Sequence, residues 1–271
     1  MKKKLLAVLL VSALVVSALT GCGSSDSDGN ASSSGKQKFT VGFDAEYPPY
    51  GYMDDNGEYT GFDLELAEEV CKLNDWELVK QPISWDNKDN ELNSGAIDCI
   101  WNGFTMNGRE DDYTWSDPYV DNSQVVVVAK DSGIAAPADL KDKTVGVQAA
   151  SAALDLLKSE EEGGQKALAD TFKGLQEFAD YNTAFVELEA GSIDAIAMDI
   201  GVAQYQVKNR GNGNYVILDE QLNSEKYAIG FKLGNEELRD KVNKSLHDLK
   251  ENGTFDKLAE KYDLSDMTCL E

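Results

Sequence analysis

The chain has 271 residues, of which 42% are hydrophobic, with 25 basic against 49 acidic side chains and a formal net charge of −24. That is enough apolar material for one large domain or two lobes of ordinary size. So acidic a surface repels phosphate backbones and argues against nucleic acid as a partner. A single His247 and cysteines without CxxC spacing argue against a zinc site, and nothing in the chain calls for a cofactor.

Lys2, Lys3 and Lys4 precede an apolar run from Leu5 to Leu19, then Leu19-Thr20-Gly21-Cys22. A basic start, a short apolar segment and small residues describe a signal peptide over residues 1–21. The run falls short of the ~20 residues that span a bilayer. The quartet resembles the bacterial lipobox, which implies an acylated Cys22 and a lipid anchor on the extracytoplasmic face of the cell membrane. Residues 22–37, rich in Gly and Ser, read as a flexible linker from that anchor. Without Lys2, Lys3 and Lys4, the 25 basic residues become 22 against 49 acidic, a net charge of −27. Cys71, Cys99 and Cys269 remain, and an exported protein could join two of them.

Phe39–Phe43 reads as a buried strand running into Asp44-Ala45-Glu46-Tyr47-Pro48-Pro49, where two prolines fix an extended path that can hold Tyr47 over a pocket. An Asn-Gly turn within residues 53–62 marks a hairpin. Asp63–Leu73 has apolar residues at helical spacing. A strand at Glu77–Gln81 leads to Trp85 and a helical stretch ending at Gly95. A further strand, Ala96–Trp101, leads to Thr105 and Arg109. Alternating strands and helices indicate a mostly parallel sheet, in which ligands sit beyond the carboxyl ends of the strands. Asp44, Tyr47, Trp85, Thr105 and Arg109 all occupy such positions. Arg109 can grip a carboxylate as a fork, with Thr105 and turn amides as further donors, or it can pair with Glu110, Asp111 or Asp112 on the surface.

Ser123–Lys130, with four consecutive valines, reads as a buried segment leaving the first lobe. A second α/β pattern follows: a strand at Thr144–Val147, then Ser151 as the cap of a helix Ala152–Leu157, where N–H groups can attract an anion. A helix Ala184–Glu189 follows Tyr181 and Asn182. The strand Ile193–Met198 stops at Asp199, which is either a cap for a helix over 200–207 or a ligand for a cation. Lys226–Lys232 reads as a strand that returns beside the valine run. Glu236–Glu251 and Thr254–Tyr262 are amphipathic helices. The economical arrangement is two lobes on two extended crossings, with residues 38–128 and 225–271 in lobe 1 and residues 129–224 in lobe 2.

Residues 38–262 resemble the extracytoplasmic substrate-binding proteins of polar amino-acid ABC transporters. The stretches that carry the resemblance are VGFDAEYPPY, NGEYTGFDLELAEEV, LNSGAIDCIWNGFT, GREDDYTWSDPY, DLKDKTVGVQ, LEAGSIDAIAMD, KYAIGF and LKENGTFDKLAEKY. The resemblance implies an α/β, type II periplasmic-binding-protein fold that closes on a free amino acid, a monomer that then meets an ABC transporter permease. It implies that Arg109 clamps the α-carboxylate, helped by Thr105, the backbone near Gly103, Ser151 and Ala152. Asp199 would take the α-ammonium with Asp44 nearby, and Tyr47 and Trp85 would sandwich the side chain.

Two departures stand out. Thr105 to Arg109 is one residue shorter than the family's T-x-T-x-x-R, with Asn107 in place of the second hydroxyl, and QAASAA replaces a Gly-Ser-Thr type loop after Val147. Lys88 or Asp86, beside Trp85, can reach toward a polar side chain. The alternative on this fold is an enzyme resembling cyclohexadienyl or arogenate dehydratases, with Glu46 as its candidate acid or base.

Overall fold

The computed structural model describes residues 35–211 and 213–271. The expected signal peptide, Cys22 and nearly all of the linker lie outside the described residues.

Residues 36–271 form two lobes, each a mainly parallel sheet covered by helices. In the first sheet Lys38–Phe43 is flanked by Glu77–Pro82 and Cys99–Ile100, parallel to both, and Gly230–Phe231 and Thr114–Trp115 complete it. Phe39, Val41 and Phe43 are fully buried. Around them pack the apolar stripes of three helices: Leu66, Ala67 and Val70 of Phe62–Asn74, Val242, Leu246 and Leu249 of Glu236–Glu251, and Phe255 and Ala259 of Thr254–Lys261. The Asn-Gly hairpin is present as Gly51–Met53 paired with Tyr59–Thr60, closed by the Asp54 carboxylate accepting from the Asn56 and Glu58 amides at 2.9 Å each.

The second sheet runs Gly174–Phe178, Thr144–Gln148, Ala195–Asp199, Val120–Ala129, Tyr215–Ile217. Its first three strands are parallel, and Val120–Ala129 is antiparallel to its neighbours. The valine run is therefore the middle of this sheet, on the strand by which the chain leaves the first one. Val125 and Val127 pack in the cluster of Phe185 and Met198, and Val126 and Val128 in that of Leu154 and Leu157. Successive strand residues point to opposite faces, so four buried valines in a row require a strand covered on both sides. The lobe boundary drawn at 128/129 falls at the far end of a strand already paired in the second sheet.

The chain crosses between the sheets twice. Residues 120–124 of Val120–Ala129 pair antiparallel with Asn223–Tyr227, and the latter continues to Gly230–Phe231 in the first sheet. The expected strand over 226–232 is thus two strands, one crossing and one in the sheet. Other boundaries move for local reasons. The strand expected at Ala96–Trp101 shortens to Cys99–Ile100, because the amides of Ala96 and Ile97 close the preceding helix on the Glu91 carbonyl. The helix expected from Ala184 starts at Tyr181, because the Asp180 side chain caps it by accepting from the Thr183 amide at 2.7 Å. Gly174–Phe178 has no alternating burial pattern and gives no sequence signal. Cys71, Cys99 and Cys269 are free thiols, so no two of them are joined.

The lobes touch closely at Gly201, the second residue of the helix Ile200–Asn209. A Cβ there would collide with the Tyr50 hydroxyl and ring of the first lobe. Gly201→Val is therefore expected to hold the lobes apart. Small-angle scattering should show a larger radius of gyration than wild type, and identical profiles would refute the contact.

Candidate ligand-binding site

The carboxyl ends of strands from both sheets converge on one narrow cavity of about 10 Å³. Asp44 follows Lys38–Phe43, Trp85 follows Glu77–Pro82, and Asn102 to Thr105 follow Cys99–Ile100. From the other lobe, Gln148 ends Thr144–Gln148 and Asp199 ends Ala195–Asp199. All nine residues singled out in the sequence line this cavity, Tyr47, Gly103, Arg109, Ser151 and Ala152 included, together with Asn102, Phe104 and Gln148.

Arg109 turns to none of Glu110, Asp111 or Asp112. Its Nη2 pairs with Asp155 of the second lobe at 2.6 Å, its Nη1 donates to the Thr105 carbonyl at 3.3 Å, and its guanidinium lies 5.3 Å from the Phe104 ring centre. The guanidinium therefore already holds a carboxylate, supplied by the protein from across the cleft. A tight turn, with the Arg109 amide on the Met106 carbonyl at 3.0 Å, delivers the arginine despite the shortened spacing. Asn107 does not act as a second hydroxyl, because its Oδ1 accepts from the Lys226 amide of the crossing strand at 2.7 Å.

The other expected carboxylate donors are largely engaged. Ser151 is the helix cap, accepting from the Leu154 amide at 3.2 Å and donating to the Gln148 carbonyl at 2.7 Å. The Gly103 amide donates to Asp63 Oδ2 at 2.6 Å, and the same oxygen accepts from the Tyr119 hydroxyl at 2.9 Å. Gly103 has φ +56, and a Cβ would meet the rings of Tyr227, Tyr47 and Tyr50, so only glycine fits. Thr105 donates its hydroxyl proton to Glu225 at 2.6 Å.

Asp199 makes no cap bond to the helix that follows it. Its Oδ1 accepts from Asn122 Nδ2, Gln124 Nε2 and the Tyr227 hydroxyl, each at 2.7 Å. Asp44 accepts from the Glu46 amide at 2.8 Å and from Gln148 Nε2, across the cleft, at 2.7 Å. Burial pushes the Asp44 carboxyl up to about 6 against the pull of those two hydrogen bonds, with Asp180 and Glu46 raising it further. Tyr47 lies beside Tyr50 and Tyr181, its hydroxyl 3.4 Å from that of Tyr227. Trp85 stands edge-on to Phe104. Lys88 sits 5.2 Å over the Trp85 ring and donates to the Ala150 carbonyl at 3.3 Å, while Asp86 turns back to Ser84. Burial and the nearby Arg109 lower the Lys88 pKa.

Sequence reasoning did not find Gln148, although its place at a strand end is the signal that found Asp199. Asp63, Asn122, Gln124 and Glu225 hold the lining from behind, and no motif marks them.

The model of the bacterial extracellular solute-binding proteins, family 3, matches residues 39–265. The chain belongs to this family. It is 35% identical to the arginine-binding extracellular protein ArtP of Bacillus subtilis, over 97% of this chain and 98% of that one. It is 32% identical to the L-cystine-binding protein TcyA of the same organism, over 97% of each. A substrate-binding protein of an ABC uptake transporter from Streptococcus pneumoniae, solved with bound histidine, superposes with a TM-score of 0.81 at 30% identity, covering 86% of this chain and 95% of that one.

In this family-3 protein Asp63 is wholly buried, and burial pushes its carboxyl up to about 7 while the Gly103 and Tyr119 donors pull the other way. The folded state then binds more protons than the unfolded chain between the ordinary aspartate value and about 7. Stability from this group therefore falls as pH rises across that window. Asp63→Asn should flatten that part of the curve in urea unfolding at several pH values. Asp63→Ala, which orphans two buried donors, should cost about 3 kcal/mol.

Proposed function

We propose that this protein captures an amino acid with a cationic side chain outside the cell and presents it to an ABC importer. The observation that carries this reading is that Asp44 and Asp199 are buried on the cavity, 7% and 3% exposed, and neither forms an ion pair with a basic side chain among the described residues. An amino acid brings one carboxylate for Arg109 and one ammonium for Asp199. Asp44 then remains for a second positive charge, with Tyr47 and Trp85 along the chain between. The arginine-binding relative accords with this, and the histidine-bound structure and the cystine-binding relative offer the neutral alternatives for a ligand screen.

Binding bridges both lobes and so favours the closed state, which the permease would meet. We take the protein to act as a monomer tethered through an acylated Cys22. A Cys22→Ser protein recovered in the membrane fraction would contradict the tether. The dehydratase reading loses its candidate acid or base. Glu46 is exposed, is absent from the cavity lining, and accepts a hydrogen bond from Asn182. No aromatic product is expected from prephenate or arogenate.

Titration calorimetry across the amino acids tests the assignment, with L-arginine, L-lysine and L-ornithine expected above neutral and acidic ligands. Arg109→Ala should cost about 2 to 5 kcal/mol of binding, as truncation of a buried charge pair does; unchanged affinity would remove Arg109 from the site. For Asp44 the pH dependence has a definite sign. Protons compete with a cationic side chain for this carboxylate, so affinity should fall as pH drops through about 6 and level off above it. Asp44→Asn should weaken L-arginine about tenfold or more and flatten that profile.

A further inference from the structure

Behind the cavity lining, a buried carboxyl on a crossing strand shares its donors with Asp199. Glu225 lies on the crossing strand Asn223–Tyr227 and is 5% exposed. Its Oε1 accepts from the Thr105 hydroxyl at 2.6 Å, from Asn122 Nδ2 at 2.6 Å and from Gln124 Nε2 at 2.8 Å, and Asn223 reaches Oε2 at 3.3 Å. The same two amide nitrogens serve Asp199 Oδ1. Two carboxyl groups are thus held close together by shared neutral donors, and neither pairs with a cation among the described residues. The amide orientation that supplies both acids leaves Asn122 Oδ1 and Gln124 Oε1 buried without partners.

A hydroxyl has one proton to give. With that of Thr105 directed to Glu225, the oxygen can offer only a lone pair to a ligand. We propose that Glu225 is a positioning residue for the ammonium end of the ligand: from the crossing strand it fixes the Thr105 hydroxyl as an acceptor, so that Thr105 works with Asp199 on the cation and not with Arg109 on the carboxylate. This rests on the reading that an amino-acid ammonium sits at Asp199. It reverses the donor role expected of Thr105.

The arrangement also joins recognition to the hinge. Glu225, Asn122 and Gln124 all belong to the two crossing strands, whereas Thr105 comes from the first lobe and Asp199 from the second. Among the described residues, the other titratable groups facing this cluster are phenols: Tyr227, which donates to Asp199, Tyr47 and Tyr50, which feel the charge of Asp199, and Tyr181, which feels the charge of both acids. Burial and the neighbouring Asp199 push the Glu225 carboxyl up, and the Thr105, Gln124 and Asn122 donors oppose them.

Two measurements test the proposal. In the ligand-free protein, the carboxyl carbon of Glu225 can be followed by NMR through a pH titration. T105V removes a donor that favours the ionised form and should raise the Glu225 midpoint; an unmoved midpoint would overturn the proposal whatever the ligand is. In calorimetry with L-arginine, E225Q keeps an acceptor facing Thr105 and should bind within about threefold of wild type. E225M removes the acceptor and should weaken binding about tenfold or more. In a T105V background E225M should add nothing further; an equal loss with and without the hydroxyl would mean that Glu225 acts only through the fold. Thermal melts identify any variant that fails to fold, and the NMR result then decides. If wild type gives no heat with L-arginine, the ligand reading has failed, and the titration still judges the positioning role by itself.

Discussion

Two carboxylates buried between two lobes, each supplied with neutral donors and neither paired with a cation among the described residues, are the constraint around which this structure is arranged. Burying a charge costs several kcal/mol unless hydrogen bonds and an opposite charge compensate for it. The protein provides the hydrogen bonds, through Gln148 and the Glu46 amide for Asp44, and through Asn122, Gln124 and Tyr227 for Asp199. It does not provide the opposite charge. On the proposed reading, a cationic ligand supplies that charge, and affinity comes from completing a preorganised, partly satisfied environment.

The cation of the site is treated in the opposite way. Arg109 already has a carboxylate partner, and that partner comes from the opposite lobe. Asp155 is 64% exposed, so the pair adds little to stability. It does place a carboxylate where a ligand's own would lie. Together with the Gln148 to Asp44 bond, the Lys88 to Ala150 bond and the contact of Tyr50 with Gly201, it joins the two lobes. On the proposed reading, a ligand carboxylate competes with Asp155 for the Arg109 guanidinium.

Much of this was legible in the sequence because parallel α/β sheets place chemistry at strand ends. Finding a strand and reading the next few residues was enough to pick out Asp44, Trp85, Thr105 and Asp199. The valine run was legible as buried, yet its lobe was not: four valines state that both faces are covered and say nothing of which sheet does the covering. The start of the helix at Tyr181 was missed because the cap, Asp180, lies outside the apolar pattern that marks the helix.

What the sequence could not convey is the direction of hydrogen bonds. Thr105 and Gly103 read as donors for an anion because a hydroxyl and a free amide beside an arginine suggest one. The structure commits both protons elsewhere, to Glu225 and Asp63, residues 120 and 40 positions away in the chain. A side chain's place on a strand end is local information, carried by turns and alternation. Whether it gives or accepts a proton is decided by a partner that only the tertiary fold brings near. In this protein the deciding partners, Asp63 and Glu225, sit on the first helix and on a crossing strand, so the elements that position the lobes also fix which polar groups of the cleft wall give a proton and which accept one.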